Sequence, residues 1–227
     1  MKGLPRLLAL LFLILANPLF AEHVIVSGGP TLRKWENLRV PEDQHDRFWG
    51  NFIAAASFRM DEIRTAYGSD AKLVWIVYKP GYQTRGREDG RSYTDMIANQ
   101  AAKRKASLIW VSSSGDLIRA LNSRPRGSVE TFDYFGHSNK YAFMLDYGND
   151  IMAVSTAVLH ERDLSRIKSS IFSRNAYCKS WGCHTGESMS AVWKSSVGMP
   201  LEGAKGPTSY VPISQGKMPS VNGSWVR

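Results

Sequence analysis

Short apolar runs rich in β-branched and aromatic residues recur along this chain, and stretches with helical spacing separate them. "KLVWIVYK" at 72–79, "SLIWVS" at 107–112, "VETFDYF" at 129–135 and "NAYCKSW" at 175–181 each have the length and residue types of a buried strand. Ahead of the first, Phe48, Phe52, Ala56, Met60, Ile63 and Tyr67 recur every three or four residues. That spacing predicts a helix from Pro41 to Tyr67, stopped by Gly68. Strands that alternate with helices return parallel to one another and bury both faces of their sheet. The predicted fold is therefore α/β, a three-layer sandwich around a mainly parallel sheet. Such sheets hold their sites in crevices at the carboxyl ends of strands.

The segments between are less regular. Residues 23–40 read as irregular or as a short strand, "HVIVS", before a Gly-Gly-Pro turn, and "PGYQTRGREDGRS" at 80–92 reads as a charged, glycine-rich loop. A helix follows with Ser92 and Asp95 in capping-box spacing, and another at 114–123 with Ser114 as its cap. "YAFMLDY" at 141–147 is expected to pair with the 129–135 strand, and a turn is expected at Gly148-Asn149. "STAVLHERDLSRIKSSIF" reads as mostly helical, with His160 near a helix start. A helix at 186–198 ends on Gly198, a last strand spans 199–206, and the tail from Pro207 is a surface loop that packs Tyr210 and Trp225.

The chain begins "MKGLPRLLALLFLILANPLFAEH", with Lys2 and Arg6 ahead of a purely apolar run from Leu7 to Ala16 and a small residue at Ala21. This is the layout of a secretory signal, cut after Ala21, and its apolar run falls well short of the ~20 residues that cross a bilayer. Residues 1–21 are read as a signal peptide and 22–227 as a single α/β domain with an irregular tail at 207–227. The expected destination is the periplasm or the extracellular space, with no stable membrane span after cleavage. Formal charge is +9, and losing Lys2 and Arg6 leaves +7, but the charges are scattered. The densest cluster, "AAKRKA" at 101–106, reads as a solvated helix face, so no nucleic-acid partner is predicted. The two cysteines, Cys178 and Cys183, lie five residues apart. On a strand they point to opposite faces and stand roughly 16 Å apart, so a disulfide would need a tight loop instead.

Two stretches carry reactive side chains at the ends of predicted strands: "FDYFGHSNK" at 132–140 presents His137, and "CKSWGCHTGES" at 178–188 presents Cys183. A thiolate is the nucleophilic form of cysteine, and the free N–H groups at the start of the 186–198 helix would favour negative charge beside Cys183. A nearby imidazole would supply the proton to a leaving amine, the backbone amide of Cys183 would hold an oxyanion, and Gly182 leaves room for a substrate backbone to approach. His184 and Asp133 are candidate accessory groups. His45 and His23 have no evident partner, and Cys178 reads as core.

The chain order, His first and Cys second, each at the end of an apolar strand, resembles the caspase-like cysteine peptidases of clan CD, which include caspases, legumains, gingipains and separases. "VETFDYFGHSN" resembles the strand that delivers that family's histidine, and "RNAYCKSWGCHTG" the strand that delivers its cysteine. "GESMSAVWKSSVGMPLEGAKG" looks like the helix and strand that follow, and with "YAFMLDYGNDI" the similarity covers roughly residues 107–206. It implies a caspase-like fold, a peptide or protein substrate, Cys183 as nucleophile, His137 as general acid and base, and no cofactor. The chain departs from the family after the histidine, where members commonly have a glycine whose amide helps form the oxyanion hole. Here Ser138 takes that place, with Gly136 on the other side, and the resemblance implies that the Ser138 amide serves instead. Residues 23–70 have no counterpart in the family. No motif carries over the family's specificity pocket; if the tail contributes to it, Ser209 and Tyr210 would lie near it. A metal site built from His137, Cys183 and His184 fits the usual ligand spacing poorly, and no G-x-S-x-G elbow is present. The alternative reading is a secreted, catalytically silent binding domain on the same scaffold, for which the seven Trp, nine Tyr and nine Phe residues would serve equally well.

Overall fold

Seven strands form one sheet in the computed structural model, which describes residues 21–227 except 42, 43, 45, 46 and 148–156. The predicted leader before Ala21, the expected turn at Gly148-Asn149 and His45 lie outside the described residues. In chain order the elements are β1 (Glu22–Ser27), α1 (Arg33–Leu38), α2 (Asn51–Tyr67), β2 (Lys72–Tyr78), α3 (Lys79–Asp89), α4 (Tyr93–Lys103), β3 (Ser107–Val111), α5 (Ser114–Asn122) and β4 (Val129–Phe135). There follow β5 (His137–Asn139), β6 (Ala142–Met144), β7 (Val158–His160), β8 (Phe172–Ser180), α6 (Met189–Val197), β9 (Leu201–Lys205), β10 (Thr208–Ser209), β11 (Ser220–Val221) and β12 (Ser224–Val226). The sheet order is β12-β9-β8-β4-β1-β2-β3, in which β1, β2, β3, β4, β8 and β9 run parallel and β12 closes one edge antiparallel to β9. The protein is α/β with a mixed, mainly parallel sheet flanked by helices, as the alternation predicts.

The pleat explains the two-sided core. Val24, Val74, Ile76, Phe132 and Tyr134 point to one face, where they meet α5 and α6 through Leu117, Leu121, Met189 and Trp193. Ile25, Leu73, Trp75, Val77 and Phe135 point to the other, against Phe52, Ala56 and Met60 of α2 and Ile97 of α4. Apolar residues on both faces are what a central parallel strand needs. "HVIVS" therefore belongs to the interior: β1 sits between β2 and β4 at the centre of the sheet. From β1 the chain winds outward to β2 and β3, then returns to place β4 on β1's other side and winds the opposite way. The carboxyl ends of β1 and β4 thus flank the point where the strand order reverses, which is where such sheets open a crevice.

Several local expectations are corrected. The 80–92 segment is helix α3 rather than a loop. Pro80 sits in its first turn, where a missing N–H is harmless, and the charge density misleads because Arg85 is fully buried. Helix α2 starts at Asn51 rather than near Pro41: Trp49 stacks on Tyr93 at 3.9 Å, a tertiary contact that holds the preceding turn out of the helix. Ser113, not Ser114, caps α5, its Oγ accepting the Asp116 N–H at 3.1 Å. Ser92 precedes α4 without a side-chain cap bond, so the predicted capping box is absent.

Residues 142–144 pair with β5 and β7 in a separate three-stranded sheet rather than with β4. The segment from Val158 holds that short strand and two 3-10 turns instead of a long helix, and His160 caps the first by accepting the Arg162 N–H at 3.2 Å. Helix α6 begins at Met189, later than predicted. The tail is more ordered than a surface loop, because β10 and β11 pair and β12 joins the main sheet. It does pack Tyr210 against Phe52 (4.9 Å) and Trp225 against Trp181 (5.4 Å). Among the described residues no helix is long and apolar enough to cross a membrane.

Candidate functional site

His137 follows β4 by two residues, and Cys183 follows β8 by three; these are neighbouring parallel strands. Both residues line one cleft of about 420 Å³, with Gly136 beside them. Its other walls are Gln44, Arg47 and Phe48 ahead of α2, Asn51 and Phe52 at its start, and the stretch from Pro207 to Val211. Thr208, Ser209 and Tyr210 of the tail are therefore cleft residues.

The imidazole of His137 is clamped on three sides. Its Nε2 lies 3.1 Å from Thr31 Oγ1, its ring stacks on Tyr147 at 4.3 Å, and the ring of Phe52 meets it edge-on at 5.0 Å. Thr31 comes from the turn after β1, so the third central strand also contributes to the cleft. Its position is fixed from behind. Arg85, with no exposed surface, donates to the Thr31 carbonyl at 2.5 Å, to the Arg47 carbonyl at 2.8 Å and to Asp89 at 3.0 Å. Burial works against the charge on Asp89, but hydrogen bonds from Arg33, Tyr93 and Arg85 outweigh it and hold that carboxyl down at about 2.

The sulfur of Cys183 is half-buried. The Thr208 N–H points to Sγ at 3.3 Å, and the Thr208 hydroxyl lies at the same distance. These groups, rather than a helix N-terminus, are the polar partners of the thiol, since α6 starts only at Met189, well past Cys183. Ser138 Oγ donates to the Cys183 carbonyl at 2.8 Å and so ties the histidine segment to the cysteine segment. That tie requires glycine at 182, because a Cβ there would overlap Ser138 Oγ. Gly136 is needed for the same kind of reason: a Cβ would overlap the Tyr134 hydroxyl, which donates to the His137 carbonyl at 2.7 Å.

Of the other predicted site residues, Gly136 lines the cleft, Ser138 and Gly182 meet beside Cys183 without lining it, and Asp133 and His184 are not brought into it. Asp133 is fully buried on the α2 face of β4, where it accepts from Arg59 Nε and Trp181 Nε1, both at 2.9 Å. Burial pushes its carboxyl up, and the Arg59 guanidinium, followed by the Trp181 hydrogen bond, opposes that. Its role is to brace Trp181, two residues before Cys183. Lys179 adds to the bracing by sitting 4.0 Å from the Trp181 ring and 4.1 Å from the Trp225 ring. His184 adopts a positive φ of 62° and turns to Glu187, with Nδ1 2.6 Å from Oε1. Among the described residues no cluster of three or more His, Cys, Asp or Glu could hold a metal ion.

No protein-family model matches this chain, and no curated protein does.

The two thiols are separate and free. Cys178 faces the α6 side of the core, where burial, and secondarily the Asp133 charge, pushes its thiol up to about 12. Sequence reasoning missed Thr31, Thr208, Tyr147 and Arg85. Thr31 was within reach, since "SGGPT" follows a strand and puts a hydroxyl just past its carboxyl end. Nothing local marked Thr208, because a two-residue strand in a Pro- and Gly-rich tail has no periodicity to read.

Proposed function

We propose that this chain is an exported cysteine peptidase of caspase-like type, acting in the periplasm or outside the cell. The observation that carries the reading is that His137 and Cys183, 46 positions apart in the sequence, line one cleft beside the reversal point of a mainly parallel sheet. In this account the Cys183 thiolate attacks the scissile carbonyl carbon, and the electron pair of the C=O bond moves onto oxygen. The amides of Cys183 and Ser138 receive that oxyanion. The imidazolium of His137 gives its proton to the leaving amine as the C–N bond breaks. Water, deprotonated by the imidazole, then hydrolyses the thioester and returns the thiol.

Thr31 acts as a positioning residue: its hydroxyl on Nε2 fixes the ring, so that Nδ1 serves proton transfer. Ser138 in place of glycine fits this scheme, because its side chain is turned to the Cys183 carbonyl and Gly182 gives it room. No cofactor is required. The test is cleavage of a mixed peptide library by wild type and by Cys183→Ala. Cleavage by the wild type alone is expected. Equal cleavage by both proteins, or by neither, removes the assignment.

A further inference from the structure

Phe48 separates the cleft from a second hollow of about 340 Å³, and its side chain lines both. The second hollow is walled by Trp49 in the turn before α2, by Ile53, Ala54 and Phe58 of α2, and by Met96 of α4. Its polar rim is already matched, for Arg104 makes a bidentate pair with Asp61 at 2.9 and 3.0 Å. Phe48 and Met96 are nonetheless left 54% and 43% exposed. Large apolar side chains kept in water around a concave surface mark a binding surface rather than spare core, and the volume is in the range of ligand pockets.

We propose that this hollow is a subsite for one bulky apolar side chain, of the leucine or phenylalanine class, on a peptide lying in the cleft. Phe48 is the wall between that subsite and the reacting centre. The proposal rests on the peptidase reading of the cleft, and the continuity through Phe48 identifies the occupant. A chain running from Cys183 past Phe48 meets first the polar groups of Asn51 and Ser209 and then an apolar hollow. Selectivity would therefore come from a side chain at a distance from the cut bond.

The experiment uses capped hexapeptides scanned with Phe or Ser at each position. Cleavage is read with the wild type, and binding is read by calorimetry with Cys183→Ala. The expected result is one position at which Phe is preferred to Ser by about tenfold or more, the discrimination a hydrophobic pocket supplies. Ala54→Trp, which fills the hollow, and Met96→Asp, which charges its rim, should each abolish that preference. Met96 is exposed, so its variant serves if Ala54→Trp fails to fold. Cleavage with no apolar preference at any position, or with one that both variants retain, overturns the subsite and leaves the peptidase reading standing. Variant-sensitive Phe binding without any wild-type cleavage overturns the peptidase reading and keeps the apolar site. If Cys183→Ala binds no peptide, while the wild type self-associates in a manner Met96→Asp abolishes, the hollow is an interface between copies of the chain and the subsite is refuted.

Discussion

Replacing Arg85 with methionine should unfold the protein far more easily than its position on a charged helix suggests. The guanidinium is wholly buried, and it satisfies two backbone carbonyls, those of Thr31 and Arg47, besides pairing with Asp89. Methionine fills a similar volume, so little of the loss is a cavity. The loss is instead two unanswered carbonyls and one partner fewer for a buried carboxylate. Removing one member of a buried ion pair costs about 3–5 kcal/mol. Asp89 keeps Arg33 and Tyr93, which argues for the lower end, about 3 kcal/mol. With a urea slope of roughly 3 kcal/mol per M for a chain of this size, the midpoint should fall by about 1 M. Arg87→Met is the control, two residues away and exposed, with a single hydrogen bond to Thr84, and it should shift the midpoint by less than about 0.2 M. If the two variants move the midpoint equally, Arg85 is not the brace behind Thr31.

Iodoacetamide at pH 8 should label Cys183 at least a hundredfold faster than Cys178, which is fully buried with its thiol pushed up to about 12, as peptide mapping over time would record; comparable rates would contradict the placement of the two thiols. His23 is held down to about 4, from an ordinary 6.5, by burial and then by Arg59, while Thr131 hydrogen-bonds its ring. Its folded value lies below its unfolded one, so the unfolded chain binds more protons between those values. The stabilisation is complete above pH 6.5 and is lost as pH falls toward 4, by about 3 kcal/mol; denaturation midpoints should fall over that window, less steeply in His23→Gln, and a parallel decline in both proteins would refute it. Gly182→Ala should cost about 1–3 kcal/mol through overlap with Ser138, and Ser138→Gly in the same chain should restore part of the melting temperature. An unchanged melting temperature in the single variant would contradict that packing.

The architecture was legible because burial on both faces of β1, β2 and β4 leaves a continuous apolar signature, and because strand and helix lengths alternate clearly. What failed to show was whatever depended on distant partners. Helix α3 looks like a loop until Arg85 is known to be inside, since the sequence records its charge and not the carbonyls that satisfy it. The start of α2 was misplaced because Phe48 keeps the helical spacing while the Trp49–Tyr93 stack sets the turn. At the site, strand ends point to His137 and Cys183, which do line one cleft, whereas Thr208 reaches Cys183 from 25 positions away with no local mark, and Thr31, 106 positions from His137, is marked only by its place just past a strand. Asp133 and His184 have suitable chemistry and lie near His137 and Cys183 in the sequence, yet the pleat turns one into the core and a positive φ turns the other toward Glu187.

The claim underneath all of this is that His137 and Cys183 operate as a pair. Its most direct test is the rate of Cys183 alkylation measured from pH 5 to 9 in the wild type and in His137→Ala, under conditions where both proteins are folded. The account predicts that losing the imidazole changes the shape of the pH profile as well as the rate. Superimposable profiles would mean that the two side chains share a cleft without acting on one another.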